Sequence, residues 1–339
     1  MTEDVPSIVE QAKQGGFNAA FYDFRKAKTP GLDYFNPALL RRTDGLWLVT
    51  RRSEFLASFQ FGQNDLMTFH LDDDHLPLYG KSILVPRFSD REHFEDPRAF
   101  YHAGGLWLSA CNFVVFPDRV SWTGAHQILL EINEYWQTER RHDPPYGKNG
   151  TSVFEQRGDE KNWLWFSHEE ELHLIYLTLP HTVVRWDTSL RPVQEFVTDH
   201  WHPAWKWGEP RGGTAPIRVG DEFISFFHSS TPWRPPKRRY HMGAYAFAAS
   251  PPYQVTAVTP RPLLSGSLDD PWGEGKPLVV FPCAALREKG NWTVSLGVND
   301  LVSARVTISE KLLNSRLSRE VKKITPEKPR LSSTELIYG

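Results

Sequence analysis

The sequence predicts an all-β chain folded as a five-bladed β-propeller, and three observations carry that reading. Helical periodicity is scarce across the 339 residues. Short apolar and aromatic runs are broken at regular intervals by Gly, Pro, Asp and Asn, the punctuation of strands and tight turns. One theme also recurs, in which a polar lead-in runs into a strand, a turn and a second strand.

Taken in order, residues 1–30 form an N-terminal extension with a short helix over 5–14. The propeller spans 31–308. Its first lead-in is YFNPALLRRTDGLWLVTRRS, from about Tyr34. FEDPRAFYHAGGLWLSACNF follows from Phe94, and EKNWLWFSHEEELHLIYLTLPHTVVRWD from Glu160. PRGGTAPIRVGDEFISFFHSS begins at Pro210, and VVFPCAALREKGNWTVSLGVND near Val279. The spacing suits one four-stranded blade with insertions. An amphipathic helix is expected over 309–324 in SEKLLNSRLSREVKKI, with a tail to 339. A β-sandwich is the alternative fold. It accounts for the strands but not for the recurrent polar lead-ins.

Thirty-nine Lys and Arg against 41 Asp and Glu leave a net charge of −2. This gives no electrostatic reason to expect nucleic acid or an acidic membrane as partner. Thirteen Trp, 21 Phe and 11 Tyr are a heavy aromatic load. Such rings fill strands, and they also stack on sugars. Cys111 and Cys283 sit in apolar runs and are expected as buried free thiols. The start MTEDVPSIVEQAKQGG lacks the n- and h-regions of a signal peptide, and no run reaches eighteen apolar residues. A cytoplasmic protein is expected. No Walker loop, Rossmann fingerprint, HExxH or CxxC pattern occurs, and no metal or cofactor is expected. HLDDDH at 70–75 reads as an exposed acidic turn rather than a metal site.

In a propeller the inner strands converge on one axis, so the lead-ins are where chemistry is expected. They offer Asn36, then Glu95, Asp96 and Arg98, then Lys161 and Asn162. Arg211, Thr214 and His228 come from the fourth repeat, and Asp300 from the fifth. PPKRRYHMGAY adds Arg238, Arg239, Tyr240 and His241. Each has a plainer reading. Asp96 and Arg98 suit a structural pair, Arg238 and Arg239 a solvated basic loop, His228 the core, and Asp300 an Asx-turn. Trp107, Trp163 and Trp165 are expected in the core.

NPALL with Arg51, EDPRAF, EKNW, RGGTAPI, FFHSS, YHMGAY, FPCAAL and SLGVND, in this order, resemble family 130 of the glycoside hydrolases. The resemblance covers roughly 34–308. It implies a five-bladed propeller and inverting cleavage of β-mannosides by phosphate or by water. It also implies Asp96 as the general acid, relayed through a sugar hydroxyl, and Asp300 as a ligand of sugar hydroxyls. A phosphorylase needs cations rather than a second carboxylate. Arg211, His228, Arg239 and His241, with Lys161, are the expected phosphate group, since guanidinium grips phosphate bidentately. Asn36, Arg51, Glu95, Arg98, Asn162, Tyr240 and Asp300 are the expected substrate contacts. Inorganic phosphate is the expected co-substrate and an oligosaccharide or glycoside the partner, with a homo-oligomer compatible with the C-terminal helix.

Two departures bear on the chemistry. Glu160 stands beside Lys161, where a carboxylate would either repel phosphate and activate water or simply pair with the lysine. Related propellers that cleave fructosides or arabinosides use an Asp where this chain has Asn36, and an amide cannot act as that base. Two other readings stay open: a glycosyltransferase using a sugar phosphate or nucleotide sugar, and a non-catalytic glycan-binding propeller.

Overall fold

The structure, a computed structural model, describes residues 5–24, 32–55, 61–83, 85–117, 123–147, 160–271 and 277–324. Helix α1 (Ile8–Gly15) is followed by strand β1 (Asn18–Phe21). Ser7 caps the helix by accepting from the Glu10 amide, and Gly16 ends it at φ 82, a left-handed position that suits glycine. The Ile8 amide donates to both Asp270 carboxylate oxygens at 3.1 Å, which ties the helix to the segment that precedes the last blade.

Five antiparallel sheets follow. Blade one is β2 (Leu32–Arg42), β3 (Gly45–Phe55), β4 (Phe61–Leu71) and β5 (Pro77–Ile83). Blade two is β6 (Glu92–His102), β7 (Gly105–Val114), β8 (His126–Ile132) and β9 (Thr138–His142). Blade three is β10 (Leu164–His168), β11 (Glu171–Leu177), β12 (His181–Trp186) and β13 (Pro192–Thr198). A short strand β14 (His200–Trp201) leads to blade four, whose inner strand is in two pieces, β15 (Arg211–Gly212) and β16 (Ile217–Val219). Both pair with β17 (Glu222–Pro232), followed by β18 (Arg238–Ala248), β19 (Val255–Val258) and β20 (Leu264–Ser265). Blade five is β21 (Val280–Glu288), β22 (Asn291–Val298) and β23 (Val302–Ser309). Its fourth strand is β1, paired with β23, so four residues of the N-terminal extension complete the last sheet.

The repeats read from the sequence thus coincide with the inner strands. Helix α2 (Glu310–Arg316) is shorter than the 309–324 expected. It stops because Ser318 exchanges backbone hydrogen bonds with Val258, both 3.0 Å, and β24 (Lys322–Lys323) pairs with β14. Arg319 grips Glu222 at 2.7 and 2.8 Å. These tertiary bonds outweigh a marginal local helix preference. The tail beyond 324 lies outside the described residues.

The apolar core sits between neighbouring blades. Leu48, Phe69, Leu108 and Ile128 pack blades one and two, and Phe226, Met242, Val294 and Leu296 pack blades four and five. Trp163 and Trp165 are 1% and 0% exposed and belong to this core, as expected, and Trp107 stacks on His142 at 5.5 Å. Cys111 and Cys283 are buried thiols that no disulfide joins. Among the described residues no helix is long and apolar enough to cross a membrane, and no cluster suits a metal ion.

Candidate active site

Two of the five lead-ins break the strand ladder in one way. In blade two, Glu95 faces Cys111 and Arg98 faces Ser109, so Asp96 and Pro97 together oppose the single residue Ala110. In blade one, Asn36 and Pro37 oppose Thr50 alone. These are β-bulges, which re-aim a side chain and need no ladder hydrogen bond from the extra residue, so proline fits. Asn36 and Asp96 take φ values of 52° and 55°, left-handed positions that Asn and Asp tolerate better than other side chains. Asn162 (φ 65°) stands just ahead of β10, and Asn299 and Asp300 (φ 54° and 49°) turn the chain after β22. Blade four instead breaks its inner strand over 213–216.

The bulges bring Asn36 and Asp96 together. Asn36 Nδ2 donates to Asp96 Oδ1 at 2.6 Å. The approach depends on a glycine in blade five, since a Cβ at Gly297 would overlap Asn36 Oδ1. Glu95 turns the other way. It forms an ion pair with Arg51 Nη1, and Lys161 Nζ stands 3.9 Å from its other oxygen. Arg51 also donates to Asn64 Oδ1 at 3.3 Å, and the Asn64 amide donates to His93 Nδ1 at 3.2 Å. Burial and nearby Arg87 hold His93 down to about 4, so it is a neutral acceptor.

On the facing blades, Arg211 pairs across the strands with His228. His228 lies on Tyr240, ring centroids 5.8 Å apart, and against the edge of Phe281. Burial, then the charges of Arg211 and Arg98, hold His228 well below the usual imidazole range. Burial raises the Tyr240 hydroxyl, as does the charge of Asp300, while Arg211, Arg238 and Lys161 oppose the rise. Tyr240 therefore stands where the third, fourth and fifth lead-ins meet. Cys283, a one-residue bulge of β21, feels Arg98, Asp96 and Asp300, but burial dominates and pushes its thiol up to about 12.

Several expected contacts are redistributed. Register places His228, Ser230 and Tyr240 on one face of the β17–β18 ribbon and Arg239 and His241 on the other. His241 is engaged there by Thr231 Oγ1 at 3.0 Å and Ser265 Oγ at 2.8 Å, and burial holds it near 4. Arg239 lies 5.7 Å from the Trp233 ring. Neither joins Arg211 and His228, because a strand alternates and the sequence grouping did not. Arg98 does not pair with the Asp96 carboxylate; its bonds go to main-chain carbonyls. Glu160 does not pair with Lys161. It is 5% exposed and accepts from Trp163 Nε1 at 3.1 Å and Tyr176 hydroxyl at 3.2 Å. The acidic stretch 70–75 is a turn in which Asp72 Oδ1 accepts from the Asp74 and Leu76 amides.

Sequence reading missed Asn64, His93, Gly297 and Asn299. Asn299 is fully buried, donates to the Ser267 and Pro271 carbonyls at 3.1 Å each and accepts from the Val279 amide at 2.8 Å. It fixes the turn that carries Asp300. The dipeptide Asn-Asp after a strand was its one local signal.

A family model of glycoside hydrolase 130, described as beta-1,4-mannooligosaccharide phosphorylase, matches residues 145–316. Among solved structures the chain is similar to a beta-1,2-mannobiose phosphorylase from Listeria innocua, in complex with beta-1,2-mannobiose. The identity is 14% and the TM-score 0.63, over 88% of this chain and 99% of that one. It is similar to a mannose phosphorylase from Leishmania mexicana in complex with phosphate, at 11% identity and TM-score 0.59, over 94% and 98%. It is also similar to a GDP-Man-dependent mannosyltransferase from Leishmania mexicana, at 12% and 0.59, over 86% and 89%. At these identities the likeness is one of fold. No curated protein sequence matches the chain.

Proposed function

Because this chain belongs to glycoside hydrolase family 130, a family of carbohydrate-active enzymes acting on β-mannosides, we propose that it is an inverting β-mannoside phosphorylase with Asp96 as its general acid. Asn36 occupies one carboxyl oxygen of Asp96 and leaves Oδ2 for the exchangeable proton. That proton reaches the leaving glycosidic oxygen through a hydroxyl of the sugar as the bond to the anomeric carbon breaks. A phosphate oxygen attacks the same carbon from the opposite face, giving a sugar 1-phosphate of inverted configuration.

Arg211, Lys161 and Tyr240 are the groups proposed to hold phosphate. Neutral His228 stands beside them without adding charge, and among the described residues its buried Nδ1 has no hydrogen-bond partner. Arg211 is exposed and pairs with no carboxylate among the described residues. Asn162 and Asp300 are proposed as sugar contacts, with Arg51 and Glu95 as the ion pair that shapes the wall beside them.

One observation favours phosphate over water. Glu160, the carboxylate next to Lys161, is turned into the Trp163–Tyr176 box. That carboxylate is thereby held by the box, which suits a charged nucleophile rather than one needing a base. Phosphate bound to the Leishmania mexicana mannose phosphorylase supports the same co-substrate here.

The test is turnover of β-mannosyl oligosaccharides with and without inorganic phosphate, Asp96→Asn beside wild type. The expected result is phosphate-dependent mannose 1-phosphate, reduced by about 100-fold or more in the variant. Free mannose regardless of phosphate overturns the phosphorylase in favour of a hydrolase. Transfer only from GDP-mannose overturns it in favour of a transferase.

A further inference from the structure

The bulge that presents Asp96 is held by a side chain that no substrate reaches. Arg98 is 3% exposed. Its Nη1 donates to the Asp96 carbonyl at 3.0 Å and to the Pro97 carbonyl at 3.1 Å. Its Nε donates to the Gly213 carbonyl, in blade four, at 2.6 Å. Its Cζ stands 4.8 Å from the Phe281 ring centroid, in blade five. Among the described residues no carboxylate pairs with it. A buried guanidinium compensated only by carbonyls and a ring face is a poor way to stabilise a core, where an apolar side chain of like volume serves better.

The bonds themselves indicate what it does. Asp96 combines a left-handed backbone, φ 55°, with a following proline, and each feature is disfavoured on its own. Such a conformation persists only where its surroundings over-determine it. Arg98 ties down both carbonyls of the bulge and anchors them across the axis. The anchor is built for close approach, because a Cβ at Gly213 would stand 2.5 Å from the Phe226 carbonyl oxygen and 2.7 Å from Pro282 Cγ.

We propose that Arg98 is a positioning residue. It bolts the Asp96–Pro97 bulge to blade four and so fixes where the Asp96 carboxyl stands relative to the leaving oxygen. This rests on Asp96 being the acid. Arg98 touches neither sugar nor phosphate.

The leaving group separates positioning from mere support of the fold. A sugar alkoxide needs the proton, whereas 4-nitrophenolate leaves nearly unaided. Arg98→Lys keeps the charge but not the fork, so it holds at most part of the carbonyl set. With phosphate present, its kcat on a β-mannosyl disaccharide is expected to fall about 100-fold, the scale of an ångström-sized misplacement. On 4-nitrophenyl β-mannoside the loss should stay below roughly tenfold, with KM little changed, because the acid contributes little there. Gly213→Ala disturbs the same bond from the other end, leaves Arg98 intact, and should give the same split. Asp96→Asn should show it more strongly.

Equal losses on both substrates, as partial unfolding gives, overturn the proposal. So does a raised KM at unchanged kcat, which is the mark of a sugar contact. If melting curves show Arg98→Lys unfolded, Gly213→Ala decides alone. Wild-type protein inactive on both substrates removes the β-mannoside reading and this inference with it. Wild-type turnover without a split removes only this inference.

Discussion

The inner strands have two ends, and the two differ in kind. At one end the strands begin in bulges, left-handed residues and a broken strand, and Asn36, Glu95, Asp96, Lys161, Arg211 and Asp300 gather there. At the other end, apart from the break in blade four, the same strands run regularly and line an axial cavity of about 380 Å³. Leu39, Ala99, Phe166, Ala215, Ile217 and Ala284, from all five blades, are among the residues lining it. A regular strand shows one face in two to the axis. A bulge breaks that alternation, so neighbours such as Glu95 and Asp96 act in different parts of one site. Irregular backbone therefore marks the chemical end.

The largest effect expected from breaking this contrast comes from Gly297. Gly297→Ala forces Asn36 away and with it the Asp96 carboxyl. Turnover should fall about 100-fold, read as kcat on a disaccharide. Unchanged kcat would mean that the acid does not depend on Asn36.

Acid should weaken the folded state. Burial holds His93 and His241 near 4, His181 near 3, and His228 below its ordinary value. Unfolded imidazole titrates near 6.5, so the unfolded chain binds more protons below that pH, and stability is lost as pH falls through 6.5 toward 4. Each such imidazole adds about 1.4 kcal/mol per pH unit in that window. His181, with neither ring nitrogen hydrogen-bonded among the described residues, isolates the effect. His181→Leu should flatten the fall of melting temperature between pH 7 and 5 without changing phosphate dependence.

A smaller effect sharpens the reading of the cationic side. Glu160→Gln should cost about 1 kcal/mol, one hydrogen bond of its box, and leave the ratio of sugar phosphate to free sugar unchanged. A shift of that ratio would return Glu160 to the chemistry. The smallest effect belongs to the regular end. Ala99→Ser, at the axial cavity, should change kcat/KM by less than roughly twofold and stability by under about 0.5 kcal/mol. A large loss there would mean that both ends of the channel serve catalysis.

Much of the fold was legible because a repeat is written in the sequence. EDPR, NPAL and RGGT mark strand beginnings, and the proline after Asn36 or Asp96 is tolerated only where the ladder is broken. The bulge residues could therefore be named from sequence. Their contacts could not. Arg98 follows Asp96 by two residues, yet it bonds Gly213, 115 positions away. Lys161 adjoins Glu160 but faces Glu95, and His241 adjoins Tyr240 but faces the other side of its sheet. Strand β1 carried no signal of joining the last blade, because its four residues have no pattern of their own.

By itself, the sequence determined the fold class, the number of blades and the positions where strands yield to turns, since these rest on local pattern and on repetition, and its motifs carried the resemblance to the family. Only the tertiary structure decided which charged groups meet, which are neutral and which are buried in support. Those outcomes depend on strand register, on the faces that bulges exchange, and on distances across the axis between residues far apart in the chain.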